Sequence, residues 1–333
     1  MPDANLLKNS GLYDAICLFL WHKWSDLTHS PEMSAKSFIP IPPPAPIPEA
    51  GRVSAAELLK KYLEGSIDLI CVMGPTASGK TRYAVNLARE INRLLKSGKD
   101  AAGAEDKEVE SKGAEGKEAE DKGAEDKGAA GAEIISADSR QIYIGMDIGT
   151  GKDLCEYGEI PVHLVDIVPA GERYNICRYQ RDFSRVYKDC RERGAIPILC
   201  GGSGLYIEAV TKPEYKLDDN NAVELVLPRK TFYLATTVDR ETRRARIDKR
   251  LDERFTEGMV EEVRGLINRG VDPEVLIRYG LEYKFITLHV LGQLDFPTMH
   301  RLLQTAIHQF AKRQMTWLRG MEKDGVEIHW VEP

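Results

Sequence analysis

A mostly parallel β-sheet covered by helices on both faces, with a helical part at its C-terminal end, is the α/β fold that three features of the sequence predict. Short apolar runs alternate with helical patterns over most of the chain; one of these runs leads into a glycine-rich loop; and two more of them end in loops of small and polar residues.

The predicted strands cover residues 67–73, 133–137, 162–168, 195–200, 231–238 and 326–331, with helices over 81–95 and 174–193 between them. On such a sheet ligands bind beyond the carboxyl ends of the strands, so the loops after Met73, Ala137 and Cys200 should converge on one crevice.

Two segments stand outside this pattern. Residues 1–52 include a proline run over 39–48 that favours extended, solvated chain, so they are read as a disordered extension. Residues 98–132 hold three ten-residue acidic repeats with almost nothing apolar to bury, and are read as a surface insertion that is disordered or forms fleeting exposed helix. One domain, 53–333, then carries the fold and is interrupted at 98–132.

The net charge of −6 argues weakly against a nucleic-acid partner. Residues 99–133 alone hold six Lys against twelve Asp and Glu, so the rest of the chain is neutral. The apolar stretch 15–21 is too short to span a bilayer and has no basic leader, so no membrane association or secretion is expected. The six cysteines form no CxxC pair or Cys/His cluster, which predicts reduced cytoplasmic thiols and no zinc site. His163 and His289 likewise belong to no ligand-like grouping and are expected to be structural.

Gly74-Pro75-Thr76-Ala77-Ser78-Gly79-Lys80-Thr81 matches GxxxxGK[ST] between a strand and a helix, and makes the fold P-loop NTPase-like. Glycines let backbone N–H groups turn toward an anion, the next helix adds its positive end, Lys80 adds a charge and the Thr81 hydroxyl can ligate Mg²⁺. The motif indicates nucleotide or diphosphate binding; ATP binding in a kinase is the default reading.

The second loop, Ser136-Ala137-Asp138-Ser139-Arg140-Gln141, puts a carboxylate just past a strand end. Asp138 there either activates an acceptor or caps a turn. The third, Gly201-Gly202-Ser203-Gly204, allows close backbone approach and offers the Ser203 hydroxyl.

The helix after residue 238 carries Arg243, Arg246, Arg250 and Arg254 on one stripe, either facing a ligand or paired on the surface with Glu241, Asp248, Asp252 and Glu253. The C-terminal helix, opening at Pro297, keeps Met299, Leu302, Leu303, Ala306, Ile307 and Phe310 at core spacing. In its tail Lys312, Arg313, Gln314, Thr316 and Arg319 surround Met315 and Trp317, a mix suited to phosphates and bases of single-stranded RNA.

Taken in order, GPTASGKT, SADSRQIYIGMDIGTGK, HLVDI, ILCGGSGLY and AKRQMTWLRG resemble the tRNA dimethylallyltransferases of bacterial type. The resemblance implies that the P-loop holds the diphosphate of dimethylallyl diphosphate and that the dimethylallyl group passes to N6 of adenosine 37 in the tRNA anticodon loop. It implies Asp138 as the base, Lys80 as the leaving-group clamp, Ser203, in place of a usual threonine, as the catalytic hydroxyl at the bridging oxygen of the diphosphate, and Arg246 or Arg250 at the diphosphate. Asp138, Ser139, Arg140 and Gln141, residues near Arg278 to Lys284, and Lys312, Arg313, Gln314 and Arg319 would touch tRNA. A cytoplasmic monomer using Mg²⁺ is expected.

One departure stands out. Family members carry a long helical insertion after the third loop, where this chain has only residues 207–231. Much of the expected grip on the anticodon stem-loop is therefore missing. This keeps open an adenylate isopentenyltransferase acting on free adenine nucleotides, and from other classes a P-loop kinase or a non-catalytic RNA-binding relative.

Overall fold

The computed structural model describes residues 48–109, 130–212 and 224–333. Most of the proline run and the middle of the acidic repeat lie outside them.

In chain order the strands are β1 (Leu69–Met73), β2 (Gly131–Ala137), β3 (Tyr143–Ile144), β4 (Val162–His163), β5 (Val168–Pro169), β6 (Ala195–Gly201), β7 (Thr231–Thr236) and β8 (Ile328–Val331). Six form one sheet in the order β4-β2-β6-β1-β7-β8, with every neighbouring pair parallel. Gly51 bridges to Val331, so the sheet edge also takes in the end of the segment read as an extension.

The predicted strand over 162–168 is two strands in different sheets. Leu164 and Asp166 have φ of 61° and 54°, which breaks the extended chain. Its first part pairs with β2, and its last part, β5, pairs with β3.

The α-helices that pack on the sheet and around the site are α1 (Ala55–Leu63), α2 (Lys80–Val109), α3 (Ile176–Glu192), α4 (Gly204–Thr211), α5 (Arg240–Thr256), α6 (Met259–Asn268), α7 (Pro273–Tyr279), α8 (Leu281–Val290) and α9 (Phe296–Lys323). The backbone of 98–109, within the segment read as an insertion, continues α2.

Alternation along β1 sorts its side chains to the two faces. Ile70 and Val72 pack with Leu58 of α1 and with Ala84, Val85, Ala88 and Ile91 of α2. Leu69, Cys71 and Met73 pack on the other face with Tyr179, Phe183 and Tyr187 of α3. All five strand residues are buried, as a parallel sheet covered on both sides requires. Removing the Phe183 ring from this core should cost about 3–5 kcal/mol.

A third core joins α5 to α9 with Ile142, Tyr143, Met146 and Val168. Helix α9 belongs to two cores: Met299, Leu303, Ile307 and Ala311 pack in the helical part, whereas Met315, Leu318 and Met321 pack on the sheet. Between those two sets Gln314 reaches the loops that follow β1 and β6.

Candidate active site

The P-loop turns where the chain leaves β1 for α2. Ala77 and Gly79 have φ of 61° and 82°, the left-handed backbone from which anion-binding turns are built, and within the loop Thr76 N already donates to Gln314 Oε1 at 2.8 Å and Ser78 N to Pro75 O at 3.3 Å. Ser78 Oγ and Thr236 Oγ1, buried and 2.6 Å apart, tie the loop to the end of β7. Lys80 begins α2 and has no ion pair among the described residues. Burial pulls its ammonium below the usual lysine range; Cys200 and the Asp138 carboxylate oppose this, and Arg250 adds to it. A cation held partly out of water without a partner favours an arriving anion.

Asp138 stands just past β2. Its Oδ1 accepts from Arg140 N (2.8 Å) and Gln141 N (3.4 Å), so the turn-cap role is present, and Oδ2 has no partner among the described residues. The third loop meets the second directly: Ser203 Oγ accepts from Ser139 N at 3.0 Å and donates to Ser139 Oγ at 3.2 Å. A Cβ at Gly201 would run into the Ala137 backbone, so only glycine lets β6 and β2 end this close together.

Gln314 crosses from α9 to both glycine loops. Its Oε1 accepts from Thr76 N at 2.8 Å, and its Nε2 donates to Gly202 O at 2.9 Å. It is buried, although its sequence neighbours Lys312 and Arg313 are exposed.

The arginine stripe of α5 divides. Arg250 reaches Gly151 O at 3.2 Å and Asp153 Oδ2 at 3.1 Å. Arg254, read from the sequence as equally suited to a solvated face, turns inward to Gly149 O at 3.3 Å and Glu282 at 3.8 Å. Burial raises the Glu282 pKa, opposed by Arg254. Arg246 is exposed, and Arg243 is half-buried with the like charges of Arg240 and Arg319 near it. Asp248 and Asp252 do not pair along α5 as the spacing suggested; they bond His308 (2.7 Å) and His300 (2.9 Å) of α9.

Three supports of the chain that follows the second loop, residues 143–152, were not visible in the sequence. Glu262 of α6 accepts from Asp147 N, Ile148 N and Gly149 N at 2.7, 2.7 and 3.1 Å, and from the Tyr283 hydroxyl at 2.7 Å. Lys152, buried, donates to Tyr143 O, Asp147 and Asp166. Gln141 Nε2 then reaches Gly151 O at 3.3 Å. A glutamate on a distant helix offers no local signal for such a role.

Of the other residues expected at RNA, Arg140 lies over the Tyr279 ring at 5.5 Å and Lys284 over Phe285 at 5.5 Å. Arg278 is exposed on α7.

His163 does fall into a group of ligand types, contrary to the sequence reading. Parallel pairing of β2 with β4 and packing of α3 bring it beside Glu133 and Cys190. Arg193 spans both oxygens of Glu133 at 2.6 and 2.9 Å, His163 adds 2.7 Å, and the carboxyl is held down at about 2. Burial pushes the Cys190 thiol up to about 12, so it stays protonated. This group is an internally neutralised cluster near the start of β2, whereas Asp138 follows the end of that strand.

The IPP transferase family model matches residues 141–230 and 212–321. tRNA dimethylallyltransferase 1 of Parabacteroides distasonis is 41% identical over 324 positions, covering 80% of this chain and 93% of the relative. The chain belongs to the IPP transferase family. A tRNA dimethylallyltransferase 1 of Porphyromonas gingivalis is 40% identical, covering 79% and 93%.

The fold agrees. The crystal structure of the full-length tRNA isopentenylpyrophosphate transferase from Bacillus halodurans superposes with a TM-score of 0.61 at 24% identity, covering 79% of this chain and 89% of that one. A eukaryotic dimethylallyltransferase described as acting on tRNA gives 0.56 at 18% identity, covering 78% and 73%. The two matched pieces of the IPP transferase model overlap at 212–230, within residues 207–231.

Proposed function

We propose that this IPP transferase moves a dimethylallyl group from dimethylallyl diphosphate to N6 of adenosine 37 in tRNA and releases diphosphate. The observation that carries the reading is a lysine without an ion-pair partner at the P-loop next to a loop that offers a carboxylate oxygen.

The acceptor nitrogen attacks the allylic carbon, the carbon–oxygen bond to diphosphate breaks, and the electron pair leaves with the diphosphate. Asp138 takes the N6 proton, while Lys80 and the P-loop N–H groups other than those of Thr76 and Ser78, which are bonded within the chain, meet the charge that grows on the leaving oxygens. Ser203 keeps the second and third loops together at the leaving group, and Arg250, with Arg246 on the same stripe, adds positive charge.

Magnesium fits this donor set, because Mg²⁺ commonly takes one or two protein oxygens and completes its shell with phosphate oxygens and water. Thr81 would hold it, and its charge would serve the leaving diphosphate.

Exposed Lys312, Arg313 and Arg278, together with Arg319, Lys284 and the 138–141 loop, are the proposed tRNA contacts. A cytoplasmic monomer is part of this reading; among the described residues no helix is long and apolar enough to cross a membrane. The short 207–231 stretch favours a second reading, an adenylate isopentenyltransferase, and the exposed basic tail of α9 speaks for tRNA.

Labelled dimethylallyl diphosphate, offered with unmodified tRNA or with AMP, tests both. Label in tRNA is expected. Label only in AMP would replace the first reading with the second, ATP-dependent phosphorylation would point to a kinase, and no transfer would leave an RNA-binding protein.

A further inference from the structure

We propose that Gln314 is a positioning residue that sets the donor pocket from the RNA-facing helix; the inference rests on the diphosphate reading given above. Two backbone groups at the pocket need opposite things. The Thr76 N–H needs an acceptor, and the Gly202 carbonyl needs a donor.

A primary amide supplies both without charge, and Gln314 is placed to do so, at 2.8 and 2.9 Å. The residue is 8% exposed, so water does not substitute easily. Asparagine would be one methylene short. Glutamate would keep the acceptor and lose the donor.

The contact spans the site. A Cβ on Gly202 would lie 3.2 Å from Gly74 O and 3.5 Å from Lys80 Cε, so the third loop rests on the P-loop where Gln314 joins them. One turn further along α9, the Trp317 ring occupies the space beside Gly204. The opposite side of the same two turns exposes Lys312, Arg313 and Thr316. Gln314 therefore links the surface proposed to receive RNA with the spacing of the two glycine loops, and it acts through those loops rather than on the substrate.

The test measures binding of inorganic diphosphate, with Mg²⁺, to the full chain by calorimetry, and binding of unmodified tRNA separately. Gln314→Met should weaken diphosphate binding by about ten- to a hundredfold, the loss of two buried hydrogen bonds, with tRNA affinity changed by less than about threefold. Gln314→Glu carries the test if the methionine variant does not fold. Its carboxyl, once protonated, supplies the missing donor to Gly202, so its diphosphate affinity relative to wild type should recover as pH falls from about 8 to about 5. A general loss of stability has no reason to show that recovery.

Diphosphate binding equal to wild type in Gln314→Met, or a pH-independent defect in Gln314→Glu, would overturn the proposal. A loss confined to tRNA would also do so and make Gln314 an RNA contact. Wild-type protein that binds no diphosphate would overturn the functional reading along with it, a result distinct from the others.

Discussion

Strand β2 has a carboxylate near each end, and the fold treats the two in opposite ways. Glu133, near its beginning, is enclosed by Arg193, His163 and the Cys190 thiol, with its charge fully answered within the chain. Asp138, just past its end, gives Oδ1 to a turn and lies near Lys80, which has no ion pair among the described residues. Charges satisfied by the chain hold a structure together; charges brought near one another and left with bonding capacity serve a ligand. Composition alone does not separate the two cases.

The largest effect should come from the open end. Lys80→Ala is expected to lower the single-turnover rate of transfer by about a thousandfold, because the leaving diphosphate loses a positioned charge. Its melting temperature should stay near that of wild type, since no ion pair is broken. A transfer rate within a few-fold of wild type would make the Asp138 end no more functional than the Glu133 end.

Asp138→Asn comes next. The amide oxygen can still accept from Arg140 N, so the turn should persist while the base is lost. Transfer should fall by about a hundredfold with dimethylallyl diphosphate affinity nearly unchanged, measured by calorimetry beside the rate.

Glu133→Gln should reverse that pattern. A stability loss on the order of 1–2 kcal/mol is expected in urea denaturation, kept modest because Arg193 is half-exposed and screened, with the transfer rate unaltered. The wild-type carboxyl titrates at about 2 rather than its ordinary 4.5, so its contribution is present above 4.5 and is lost as pH falls through that window. The Glu133→Gln protein should show a flatter stability profile between those two pH values.

The smallest expected effect is at Ala77, whose φ of 61° is strained for a residue with a Cβ. Ala77→Gly should gain less than about 1 kcal/mol, because relief of strain is offset by the freedom glycine has in the unfolded chain. A clear loss of stability would mean that the methyl group makes contacts outweighing the strain.

Much of the fold was legible because strands and helices are written in local periodicity. The predicted strand over 162–168 failed because apolar composition does not reveal left-handed backbone at Leu164 and Asp166. Gln314 read as part of a basic, RNA-facing tail because its neighbours are Lys312 and Arg313. The helical stripe held the better signal: steps of four and three from Ile307 through Ala311 reach Gln314, then Leu318 and Met321 follow, and all of them are buried. Arg254 was ambiguous for a similar reason, since its partner Glu282 lies on another helix.

The sequence by itself determined the strand, loop and helix around Lys80, because a P-loop is made by consecutive residues whose backbone geometry their own side chains dictate. It also determined that Asp138 and Ser203 follow strand ends, and so which crevice they share. Only the tertiary structure decided which charges are answered and which remain available. Pairs such as Glu133 with Arg193, Arg254 with Glu282, and Gln314 with Thr76 and Gly202 join positions far apart in the chain. Whether such groups meet depends on packing of whole elements, which no local pattern encodes.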